Sequence, residues 1–112
     1  HFDAHLDYSH DYQGVLHTHG SPTCRCREPP FVGHINSIGI RTARRAPYED
    51  SQKDGSLIVT TNQFRELGPR AVVGLVPKAE NLSITFNVDV MDPVDVPGTG
   101  TPEVGGLHYQ EL

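Results

Sequence analysis

No apolar run in this 112-residue chain approaches the roughly 20 residues that a helix needs to cross a bilayer. A membrane is therefore not an expected partner. Basic patches are also missing. Beyond Arg41, Arg44 and Arg45 the cations are scattered, and the net charge is −5, so nucleic acid is not a natural partner either. Cysteine is scarce: Cys24 and Cys26 stand too close for an ordinary disulfide and say little about compartment. There is no internal repeat and no low-complexity linker. What the chain does carry is acid, with fourteen Asp and Glu, and seven histidines. A negative balance is compatible with a cationic ligand.

The acids and histidines are patterned. In His1-Phe2-Asp3-Ala4-His5-Leu6-Asp7, Asp3, His5 and Asp7 alternate with apolar residues. In an extended chain, residues i, i+2 and i+4 share a face, so two carboxylates and an imidazole are expected to point one way. Hard oxygen donors with one nitrogen suit manganese or magnesium. The plain alternative is a polar strand end at the surface. A second stretch, Thr85-Phe86-Asn87-Val88-Asp89-Val90-Met91-Asp92-Pro93, repeats the alternation and ends in acid.

The rest of the chain alternates strand and helix signals. Residues 8–22 read as a long loop, and residues 23–28 as a short helix with Pro22 in its first turn and Pro29-Pro30 stopping it. Residues 36–41 and 56–60 read as strands. Residues 42–50 read as a charged loop, with one helical turn over 48–53. Residues 61–67 and 69–76 read as helices divided by Gly68 and ended by Pro77. Residues 82–90 form the strongest strand pattern, with Leu82, Ile84, Phe86, Val88 and Val90 on one face. Such alternation argues for a mainly parallel α/β sheet. Ligands of such sheets sit beyond the carboxyl ends of the strands, where both acidic stretches fall.

The two stretches also carry a resemblance. Phe2-Asp3-Ala4-His5-Leu6-Asp7 resembles the F-D-A-H-x-D motif of the ureohydrolase family, the arginases, agmatinases and their relatives. Thr85–Pro93 resembles that family's [ST]-F-D-V-D-x-x-D-P motif, and it runs into Val96-Pro97-Gly98-Thr99-Gly100-Thr101-Pro102 and Gly105-Gly106-Leu107 as the family's does. Ser37-Ile38-Gly39-Ile40-Arg41-Thr42 looks agmatinase-like, so the likeness covers nearly the whole chain. It implies a three-layer α/β/α arginase-like fold, present as one partial domain over residues 1–112 and truncated at both ends. It further implies a cytoplasmic enzyme that self-associates as a trimer or hexamer.

The resemblance also implies two Mn²⁺ ions. Asp3 would bridge them, His5 and Asp89 would bind one, and Asp7 the other. Asn87 stands where the family has a bridging aspartate, and an amide is a poorer bridge because it offers one acceptor oxygen and no charge. The family's upstream histidine ligand and downstream substrate-binding glutamate have no counterpart here. The implied reaction is hydrolysis of a linear, agmatine-like guanidino compound to urea and an amine by a metal-bridging hydroxide. Asp7 would help move the proton. His19, in His19-Gly20-Ser21-Pro22, would pass one to the leaving amine, with His17 as its competitor. Two alternatives stand beside this: a truncated or decayed relative that keeps the scaffold without the catalysis, and a zinc site at Cys24-Arg25-Cys26 near His17 and His19.

Overall fold

Branched aliphatic residues build the two strands, β1 (Asn36–Ile40) and β2 (Leu57–Thr60), which pair in parallel. The computed structural model describes residues 1–112. Between the strands runs helix α2 (Arg45–Lys53), the crossover that a parallel pair requires. The sheet continues through single bridges. Phe2 pairs in parallel with Ile38 on one side and with Phe86 on the other, and His5 pairs with Thr42. The order across the sheet is therefore β2, β1, residues 1–5, then residues 85–87.

Helix α1 (Pro22–Arg27) starts on its proline. Helices α3 (Thr61–Leu67) and α4 (Pro69–Leu75) follow β2 directly. Thr60 and Gln63 form a reciprocal cap at the start of α3, each side chain bonding the other's backbone N–H. Gly68, at φ 81°, ends α3 and opens α4. The apolar residues divide between the two faces of the sheet. Ile38, Val59, Phe64, Val72, Val90 and Leu107 pack under α3 and α4. Leu6, Tyr8, Cys24 and Ile40 pack with α1. Each such burial contributes about 1.5–3 kcal/mol for the larger side chains.

Gly39 is what puts Ile38 and Ile40 on different faces. The register steps from Ile38 opposite Val59 to Ile40 opposite Thr60, so Gly39 is an extra, bulged residue with φ +90°. A Cβ there would lie 2.4 Å from Val90 Cγ2. The bulge re-aims the chain so that Arg41 and Thr42 run beside the first segment.

Two expectations fail. Residues 82–90 are not a strand. Phe86 makes one bridge, Val88–Val90 is a 3-10 turn, and Leu82, Ile84, Phe86 and Val88 are exposed. Alternation marks faces, but a strand also needs a neighbour. The only ladder here is Phe2 N–H to Thr85 O at 2.9 Å and Asn87 N–H to Phe2 O at 2.8 Å. Residues 42–50 are not all loop, because α2 begins at Arg45. Pro47 falls in its first turn, where a missing N–H costs no helical bond. Arg45–Glu49 at 2.7 Å and Asp50–Lys53 at 2.8 Å then line its exposed side.

Candidate metal centre

The first segment leaves the sheet at its carboxyl edge, and there the acids converge. Asp3, His5 and Asp89 each offer a ligand atom, and these atoms all lie within 4.8 Å of one another. His5 Nδ1 is 3.2 Å from Asp89 Oδ2 and 3.4 Å from Asp3 Oδ1. Asp3 is fully buried and Asp89 nearly so. The Phe2–Phe86 bridge brings the two segments side by side, and the 3-10 turn then rotates Asp89 beneath Ala4, whose N–H reaches Asp89 Oδ1 at 3.3 Å. Buried carboxylates this close are costly unless paired with protons or cations.

Asp3 is the most heavily bonded. Its oxygens accept from the His5 backbone N–H at 2.6 Å and from the Asn87 amide, and meet His1 Nε2 at 2.9 Å. Burial alone would raise its carboxyl. The bond to His1 and then the His5 N–H outweigh that and hold it below the usual carboxylate range. Asn87 thus stands beside Asp3, with its NH₂ aimed at the carboxylate.

Asp7 departs from the alternating-face expectation. It adopts φ 51°, a left-handed conformation that Asp tolerates better than most residues, so the extended run ends there. It lies outside the tight Asp3–His5–Asp89 group. The N–H groups of Thr23 and Cys24, at the start of α1, hold its carbonyl at 3.1 and 3.4 Å. Its carboxyl is pushed up, first by burial and then by the charge of Asp3. Asp7 nevertheless lines an open cleft of about 500 Å³ together with His5, Asn87, Asp89 and His19. His17 is not in that lining. Cys24 is buried and Cys26 exposed, and neither joins a group of three side chains able to hold a metal, so the zinc alternative is set aside. Cys24 Sγ instead faces His10 Nδ1 at 3.4 Å.

Four further residues at the site have contacts that the sequence reading does not assign. Thr101 donates its hydroxyl to Asp89 Oδ2 at 3.2 Å, and Glu103 Oε1 approaches His5 Nε2 at 3.6 Å. His1 bonds Asp3. Arg41 donates to the carbonyls of Gly39, Asp89, Val90 and Glu103 at 2.7–3.1 Å. Asp92 fixes the loop that follows it: its carboxylate takes the N–H groups of Val94, Gly105 and Gly106.

The fold and this cluster define an α/β protein with a carboxylate–imidazole group at the carboxyl edge of a parallel sheet. The sequence profile of the arginase family matches residues 1–112, and the chain belongs to that family. It is 34% identical to the agmatinase of Bacillus subtilis, covering 100% of this chain and 38% of that protein. It is 38% identical to the guanidinopropionase of Pseudomonas aeruginosa, covering 96% and 36%. Among solved structures, the agmatine ureohydrolase of Thermoplasma volcanium superposes with a TM-score of 0.85 at 29% identity, covering 98% of this chain and 38% of that one. The fold is arginase-like, and the chain spans well under half the length of these relatives.

Proposed function

We propose that the protein containing these residues is a manganese-dependent amidinohydrolase that cuts a linear guanidino compound to urea and an amine. The observation that carries this reading is the convergence of Asp3, His5 and Asp89 in a chain of the arginase family. The donor set fits a hard divalent cation: two buried carboxylates and one imidazole, with no thiolate. Manganese held there supplies a water of lowered pKa and positive charge where negative charge develops.

The chain's own residues supply the rest. Asp3, His5 and Asp89 hold the cation, and Thr101 orients Asp89. Asp7 lines the cleft, and its carboxyl, pushed up by burial, accepts the proton that the attacking water gives up. His19 lines the same cleft and passes a proton to the leaving nitrogen, which departs as a neutral amine. Water adds to the guanidinium carbon, the C–N bond to the tail breaks, and urea remains. Assembly as a trimer or hexamer belongs to the same proposal.

Asn87 favours a second reading, in which the scaffold persists with weak metal binding and no catalysis. A urea-release assay on the intact, manganese-loaded protein separates the two. Turnover that disappears in Asp89→Asn supports the first. A folded, metal-loaded protein that releases no urea from any guanidino compound leaves the second.

A further inference from the structure

The cleft lined by His5, Asn87 and Asp89 also has a cationic wall. Arg44 lines it together with Ser9, Thr42 and Pro47. Its guanidinium is oriented from two sides by uncharged groups. Nη2 donates to Ser9 Oγ at 2.9 Å, and the guanidinium carbon stands 5.6 Å from the centre of the Tyr12 ring. Both partners are themselves fixed. Ser9 is buried, with its N–H bonded to Gly20 O at 2.9 Å. Tyr12 begins a two-residue turn, pairing with Val15 in both directions across Gln13 and Gly14, both at positive φ.

No carboxylate neutralises Arg44. The acids of the adjoining helix are engaged elsewhere, Glu49 with Arg45 and Asp50 with Lys53. Arg44 also caps α2, whose first turn carries no acidic side chain, so the positive end of that helix adds to the same field. A linear ligand lying from the acidic cluster to this wall therefore meets opposite charge at its two ends.

We infer that the substrate is a guanidino compound whose far end is a carboxylate, and that Arg44 is the residue that reads that end. The inference rests on the proposed hydrolysis of a guanidino compound in this cleft. It departs from the agmatine-like expectation, because a terminal ammonium would approach Arg44 with like charge, whereas a carboxylate gains a charge-assisted, two-pronged partner already held in place. A cleft of about 500 Å³ has room for such a chain.

The test compares ω-guanidino carboxylates of three to five carbons with ω-guanidino alkylamines of matching length. The intact manganese-loaded protein is used, with urea release and calorimetric binding as separate readouts. The carboxylates are expected to be preferred in kcat/KM by about 10- to 100-fold, the range of one charged contact. Arg44→Gln is expected to remove most of that preference. Arg44→Glu is expected to improve turnover of the amines, a gain that misfolding cannot imitate. Equal or better use of the amines by the parent protein, or a carboxylate preference untouched in both variants, overturns the inference while the proposed reaction stands. Tight, Arg44-dependent binding of the carboxylates without urea release overturns the reaction and the word substrate, and keeps only Arg44 as the residue that reads a ligand's carboxylate. Absence of both binding and urea release overturns both.

Discussion

Arg41 grips the backbone of Asp89, with Nη2 2.7 Å from the Asp89 carbonyl oxygen. The same guanidinium reaches the carbonyls of Gly39 and Glu103, at 3.1 and 2.9 Å. It thus ties the β1 bulge, the 3-10 turn and the loop after Thr101 into one unit without touching the cation site through a side chain. Its role is to position Asp89 and Glu103. Arg41→Lys cannot reproduce the planar fork. We expect it to lower stability by about 1–3 kcal/mol in urea unfolding. We also expect manganese affinity to fall in calorimetric titration under conditions where the variant is fully folded. Unchanged manganese affinity would reduce Arg41 to a purely structural tie.

The neighbour pair Asn87 and Asp3 gives a prediction with two signs. The Asn87 amide donates to the Asp3 carboxylate. Asn87→Asp replaces that bond with two facing carboxylates, which repel until a cation joins them. The melting temperature should fall in the presence of chelator and rise above that of the parent when manganese is added. Manganese should bind about tenfold or more tightly, because a charged acceptor replaces a neutral one. A variant indistinguishable from the parent in both conditions would mean that position 87 does not face the ion.

Gly39 is constrained twice, by its φ of +90° and by the mere 2.4 Å that would separate an added Cβ from Val90 Cγ2. Gly39→Ala should cost about 2–4 kcal/mol in denaturant unfolding, from left-handed strain plus overpacking. Val90 adjoins Asp89, so the same change should weaken manganese binding. A loss below about 0.5 kcal/mol would show that the bulge relaxes freely.

The acid limb of stability should reflect Asp92. The Val94 N–H, against a smaller effect of burial, and then the Gly105 and Gly106 N–H groups hold its carboxyl below the ordinary aspartate value of 3.8. A depressed carboxyl contributes stability that is fully present above that ordinary value and is lost as pH falls through the lower, folded one. The stability gap between the parent and Asp92→Asn should therefore be constant near neutrality and narrow below about pH 4. A gap that stays flat down to pH 2 would contradict the assignment.

Part of this molecule is readable from residue order alone. Alternation in the first segment places Asp3 and His5 together, and the rule that ligands gather at the carboxyl ends of parallel strands brings Asp89 to them. The same alternation misleads at Asp7, where the backbone turns left-handed to meet the start of α1, and at Leu82 and Ile84, whose pattern describes a strand face without a partner to pair with. Pro47 hides α2 because first-turn and interior prolines look alike in sequence. Arg41, Thr101 and Glu103 act through contacts made across the chain, and neither residue type nor spacing announces those. Arg44 reads as one of three nearby basic residues until Ser9 and Tyr12 are seen to hold it in the cleft.

The contact between Ala4 and Asp89 spans 85 positions of sequence. Closing so long a loop is slow and entropically unfavourable, whereas the helices of residues 61–75 and their cap are local. A refolding molecule is therefore expected to acquire its α3–α4 layer before Asp3, His5 and Asp89 meet. On the proposed function, metal added early would find only isolated side chains and would stabilise the last contacts to form rather than guide the first.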